Sequence, residues 1–77
     1  MSSVPTIEVR GAIRLGQFLK LSGLVEDGAE ARELIQSGDV CVNGEVETRR
    51  GHALDDGELV ELHTAMGTYA ARVSVVD

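Results

Sequence analysis

A chain of 77 residues has room for one domain, and a domain of this size buries only about 60–65% of the surface its unfolded chain exposes, so its core is small. Seven bases against thirteen acids give a net charge of −6, which excludes binding to a polyanion driven by bulk charge and leaves room only for a local basic patch. Apolar residues make up 43% of the chain while Phe18 and Tyr69 are its only aromatics, so aliphatic side chains and alanines must fill the interior.

Met1-Ser2-Ser3 opens no signal peptide, and no apolar run anywhere approaches the ~20 residues of a membrane span. After Pro5, Thr6-Ile7-Glu8-Val9-Arg10 alternates polar and apolar, the pattern of a half-buried strand, and Gly11 breaks it. From Arg14 to Ser22 the period changes. Leu15, Phe18, Leu19 and Ser22 fall at i, i+3, i+4 and i+7, one face of a short helix that Gly23 caps. Asp27 followed by Glu30 has capping-box character, and Ala31, Leu34 and Ile35 form the core-facing stripe of a second helix that stops at Gly38. The two helices, joined by residues 23–26, should pack as a hairpin or corner.

Val40-Cys41-Val42 and Glu45-Val46-Glu47 flank Asn43-Gly44, a strong hairpin signal because both turn residues tolerate positive φ. A strict two-residue turn pairs Val42 with Glu45 and Cys41 with Val46; a wider loop is the alternative. Asp55-Asp56-Gly57 turns the chain into a strand containing Leu59, Val60 and Leu62. Ala65-Met66-Gly67 turns it again into a last strand on which Tyr69, Ala71, Val73 and Val75 alternate. The expected fold class is therefore α+β in the order β-α-α-β-β-β-β, two helices on a small, mainly antiparallel sheet.

The placement of charge is more informative than its sum. Glu26, Asp27, Glu30 and Glu33 crowd the start of the second helix, where the helix dipole favours them, and Asp39, Asp55 and Asp56 sit at turns. Arg14, Lys20 and Arg32 have no acid at their i±3 or i±4 positions, so no intrahelical ion pair occupies them. Arg49 and Arg50 leave the hairpin as a pair able to fork onto phosphates or stack on bases. On local sequence alone, solvated surface charge is the stronger reading of these five bases, because short basic clusters have low specificity.

A resemblance changes that balance. Ile13-Arg14-Leu15, Phe18-Leu19, Glu30-Ala31-Arg32-Glu33-Leu34-Ile35, Gly38-Asp39-Val40 and Val42-Asn43-Gly44 together resemble the S-four-type RNA-binding domain over about residues 13–62. Leu19-Lys20-Leu21, the acidic helix start before Gly28-Ala29, and Val46-Glu47-Thr48-Arg49-Arg50 are similar to its small stand-alone branch, the YbcJ-like one. The resemblance implies an αL-type motif, two helices and a hairpin forming an RNA-binding surface. It implies a single domain over 1–77, supported by the strand at 6–10 and a C-terminal hairpin at 58–76. Three positions depart from the broader family's habit: Gly16 stands where an aspartate is frequent, Asp27-Gly28 offers no base, and Glu45 replaces a common lysine. The bases that carry over as RNA-binding candidates are Lys20, Arg32, Arg49, Arg50 and Arg14, with Asn43 and Gly44 as the turn that places them.

The expectation is a non-catalytic, cytoplasmic protein that binds structured RNA, ribosomal RNA and tRNA being the candidate classes and a ribosome or ribonucleoprotein the candidate assembly. With so few aromatics the stacking platform of single-strand binders is lacking, which leaves shape and phosphate geometry. Four phosphate contacts on a duplex-like target imply a log–log salt slope of roughly −3 to −4. Cys41, alone, allows no intrachain disulfide, fits a reducing compartment and reads as a small buried hydrophobe. His52 and His63 lack the partners of a metal set, and no nucleophile–base constellation or phosphate loop suggests an enzyme or a cofactor. The other readings are an acidic adaptor that meets a basic protein, and a ubiquitin-like sulfur carrier, which the Val75-Val76-Asp77 ending in place of Gly-Gly argues against.

Overall fold

The structure, a computed structural model, describes residues 4–76. The readings that rest on Met1-Ser2-Ser3 and on Asp77 lie outside the described residues. In chain order the elements are β1 (Thr6–Arg10), β2 (Ile13–Arg14), α1 (Leu15–Leu21), α2 (Gly28–Gln36), β3 (Val40–Val42), β4 (Glu45–Val46), β5 (Ala53–Leu54), β6 (Leu59–Thr64) and β7 (Gly67–Val76). The expected α+β order is borne out, with two additions. β2 and β5 are strands of two residues each, paired antiparallel through Ile13–Leu54 and Arg14–Ala53. Two residues carry no periodicity, so nothing in the sequence pattern announces them.

The main sheet runs β1-β7-β6-β3-β4. All its neighbours are antiparallel except β1 and β7, which pair in parallel from Thr6–Arg72 to Arg10–Val76. The Asn-Gly hairpin takes the tight register, Cys41 opposite Val46 and Val42 opposite Glu45. Asn43 (φ 51°) and Gly44 (φ 84°) supply the positive φ such a turn requires. Asn43 does a second job: its Oδ1 accepts the Leu59 N–H at 2.9 Å, tying the turn to the start of β6.

One face of the sheet carries Val9, Val40, Val42, Val60, Leu62, Ala71 and Val73, and both helices cover it with Leu15, Phe18, Leu19, Ala31 and Ile35, all buried. Full burial of one such large side chain contributes about 1.5–3 kcal/mol, so Phe18, Leu15, Leu19 and Ile35 account for much of what holds the helices down. Leu34 is only partly buried at the edge of this core. Tyr69 shares the inward register but is 49% exposed, because it lies at the far end of β7 beside Leu24 and Leu34. Cys41 is a free thiol buried on the opposite face of β3.

Helix α2 starts as its sequence implies. Asp27 accepts the Glu30 N–H at 2.8 Å, and Glu30 reaches back to the Glu26 N–H at 3.0 Å. Helix α1 starts differently. Gln17 accepts the Arg14 N–H at 3.1 Å, and the first helical N–H groups are taken by a distant loop.

Candidate nucleic-acid interface

That loop, residues 47–52, is the irregular exit from the β3–β4 hairpin, and it returns to α1 backbone first. Three successive carbonyls are bound by the helix start: His52 O accepts the Leu15 N–H at 2.8 Å, Arg50 O the Gly16 N–H at 3.0 Å, and Gly51 O the Arg14 Nη1–H at 2.6 Å. The exposed N-terminal donors of α1 are thereby satisfied, and the loop is fixed against the helix.

Close approach depends on Gly16. A Cβ there would lie 2.7 Å from Arg50 Cγ, inside any tolerable contact, so the Arg50 side chain crosses the helix where only a glycine leaves space. The residue that departs from the family's habitual aspartate is the one that lets Arg50 lie down. Between this loop, α1 and the first turns of α2 runs an open groove of about 750 Å³. Arg14, Lys20 and Arg50 line it together with Gln17, while Gly28 and Ala31 form its α2 wall, and no Asp or Glu is among the lining residues. Asp27, next to Gly28, is turned onto the Glu30 N–H as helix cap.

The acidity of the chain is therefore spent elsewhere. Asp27 and Glu30 cap α2, Ser37 Oγ donates to Asp39, Glu58 accepts the Asp55 N–H, and Asp56 accepts the Val75 N–H at 2.7 Å. Such acids stabilise turns and helix ends by local hydrogen bonds and none of them lines the groove, so a net charge of −6 coexists with a groove lined by three bases.

The five candidate bases do not converge equally. Arg14, Lys20 and Arg50 meet in the groove. Arg32 is exposed on α2, next to the wall residue Ala31 but not itself lining. Lys20, Arg32 and Arg50 make no side-chain hydrogen bond or ion pair to another described residue. Arg49 stands apart, ion-paired to Glu47 within 3.0 Å. Its Nε and Nη2 donate to the two carboxylate oxygens at 3.0 and 3.1 Å, and its backbone N–H adds a third bond at 2.9 Å. His52 Nδ1 lies 3.3 Å from the same carboxylate. The Arg49 side chain, then its backbone N–H, holds the Glu47 carboxyl down from 4.5 to about 2 against the opposing effect of partial burial, and the same contact raises Arg49 above its ordinary value.

Sequence reasoning missed Gly16, Glu47, Gly51 and His52. The helical spacing rule used to find ion pairs cannot see a partner two residues away in irregular backbone, and a glycine read as a departure gives no hint of what lies over it. Among the described residues no group of three or more His, Cys, Asp or Glu side chains could hold a metal, and no helix is long and apolar enough to cross a membrane.

The chain resembles known proteins over most of its length. A family model described as S4 domain matches residues 6–70, beyond both ends of the stretch that carries the resemblance in sequence. The chain is 42% identical over 50 residues to the probable ribosome maturation protein RlbA of Bacillus subtilis (strain 168), covering 65% of this chain and 70% of that protein. It is also 36% identical over 58 residues to the tyrosine–tRNA ligase of Burkholderia thailandensis, covering 74% of this chain but only 14% of the ligase.

Proposed function

The chain belongs to the S4 domain family, and from that premise we propose that it is a non-catalytic RNA-binding protein that recognises structured RNA by phosphate and shape contacts. The observation that carries the reading is the groove between α1, α2 and the 47–52 loop, where Arg14, Lys20 and Arg50 meet without a carboxylate among them. Lys20 and Arg50 are the uncommitted charges there, and Arg14 serves the loop and the groove at once through its bond to Gly51 O. Phe18 is fully buried, and Tyr69 lies beside Leu24 and Leu34 rather than in the groove, so the groove offers no aromatic platform for unstacked bases. A duplex or folded element presenting phosphates in fixed geometry is the target that fits.

A ribosomal setting is the leading one, since one relative is named a probable ribosome maturation protein, and a cytoplasmic location is part of the same proposal. tRNA is the alternative RNA class, on the ligase match. The test is twofold. Titration against a stem-loop RNA should show affinity falling with salt by about 0.9 log units per phosphate contact. Crosslinking in cells followed by sequencing of the bound RNA should recover ribosomal RNA or tRNA. Salt-independent binding, or recovery of nothing above background, would replace this reading with that of an acidic adaptor, which a pull-down resistant to nuclease and high salt would identify.

A further inference from the structure

The two adjacent arginines have different surroundings, and on the RNA-binding reading above we propose that they divide the work. Arg50 is the residue delivered to the RNA, while Arg49 and Glu47 are positioning residues that hold the loop on which Arg50 stands.

Three observations carry this. Two of the three Arg49 side-chain nitrogens are taken: Nε and Nη2 fork onto Glu47, and the backbone N–H joins them on the same carboxylate. A phosphate approaching Arg49 would meet the Glu47 anion beside it and would have to displace a bidentate pair already formed. Arg50 has no such partner, and its Cγ and Cδ run over Gly16 into the lining of the groove that Lys20 shares. The loop that carries both is held from two sides. Arg50, Gly51 and His52 are bound by their carbonyls to the start of α1, and Glu47 closes the segment by taking Arg49 and reaching to within 3.3 Å of His52 Nδ1. Releasing Glu47 or Arg49 frees one of the two sides, and the position of Arg50 over Gly16 loosens with it.

The alternative is that Arg49 itself binds RNA and Glu47 only competes for it. The two predict opposite signs for one substitution, because removing a competitor strengthens binding whereas removing a brace weakens it. The experiment compares the unmutated chain with Glu47→Ala, Arg49→Ala, Arg50→Ala and the Glu47→Ala/Arg49→Ala double variant, against a fluorescently labelled stem-loop RNA over a range of salt. Arg50→Ala is expected to weaken binding about tenfold and to flatten the log–log salt slope by about 0.9. Glu47→Ala and Arg49→Ala should each weaken it roughly two- to fivefold with the slope unchanged, and the double variant should be no worse than Glu47→Ala, which already removes every contact of the brace. The Gly16 amide resonance should move in all three single variants, reporting displacement of the arginine stem that covers it. The proposal is overturned if Glu47→Ala tightens binding, if Arg49→Ala flattens the slope as Arg50→Ala does, or if the Gly16 resonance stays put in Glu47→Ala and Arg49→Ala. An unmutated chain that shows no salt-dependent binding removes the RNA-binding reading itself, and that result is read before any variant is made.

Discussion

Arg50 crosses the start of α1 so closely that a Cβ on Gly16 would meet its Cγ at 2.7 Å and its Cδ at 3.4 Å. Two effects of Gly16→Ala therefore oppose each other. Alanine is worth about 1 kcal/mol over glycine inside a helix, while the clash falls on an exposed, flexible side chain that can swing away. Stability should stay within about 1 kcal/mol of the parent in thermal unfolding. RNA affinity should fall, because Arg50 has lost its place in the groove. In an Arg50→Ala background the same substitution should have no further effect on binding, which separates a displaced arginine from a damaged helix.

Much of this fold was legible in advance, and the physics says which part. The stripes Leu15–Phe18–Leu19 and Ala31–Leu34–Ile35, the Asp27 cap and the Asn43-Gly44 turn are local signals, each written within a few consecutive residues, and each appears where the pattern puts it. The β2–β5 pair and the parallel β1–β7 pairing depend on residues some 40 and 66 positions apart, as in Arg14–Ala53 and Thr6–Arg72, and no local pattern encodes them. The site divides along the same line. The bases could be named because charge is visible in sequence; that three meet in a groove while Arg49 is held by Glu47 could not, since it depends on where the loop folds back.

Acid should loosen the 47–52 loop in a defined window. The Glu47 carboxyl titrates at about 2 when folded against 4.5 ordinarily, so its folded-state value is depressed. Its contribution to stability is present in full above 4.5 and is lost as the pH falls from there through about 2. Glu47→Gln removes that titration. Urea midpoints of the two proteins measured from neutral pH downward should therefore converge across this window, the parent falling more steeply. Parallel curves would show that the ion pair adds nothing to the folded state.

Asn43 is the second place where one side chain serves two purposes. Its φ of 51° suits asparagine or glycine, and its Oδ1 holds the Leu59 N–H at 2.9 Å. Asn43→Gly keeps the backbone geometry and removes the Oδ1 acceptor together with the longer Nδ2 bond to Glu58 at 3.5 Å; a loss of about 0.5–1.5 kcal/mol is expected in chemical denaturation. Asn43→Ala adds the strain of positive φ and should cost about 1 kcal/mol more. Neither should change the salt slope of RNA binding, since Asn43 lies outside the groove. A flattened slope would mean that the turn touches phosphate directly.

Lys20 and Arg32, on adjacent helices, both lack an ion-pair partner among the described residues, and their relation to the groove distinguishes them. Lys20 lines it together with Arg14 and Arg50, whereas α2 contributes Gly28 and Ala31 to the wall and Arg32 stands beside them. A phosphate seated in the groove reaches Lys20 at contact distance, where a charge-assisted bond forms; Arg32 acts on it through solvent, screened over a Debye length of about 8 Å. Lys20→Ala should therefore weaken stem-loop RNA binding about tenfold and flatten the salt slope by about 0.9, while Arg32→Ala costs roughly two- to threefold with a smaller change of slope. The ordering discriminates between two ways of docking. If Arg32→Ala proves as damaging as Lys20→Ala, the RNA wraps onto the outer face of α2, and the groove is only one edge of the binding surface.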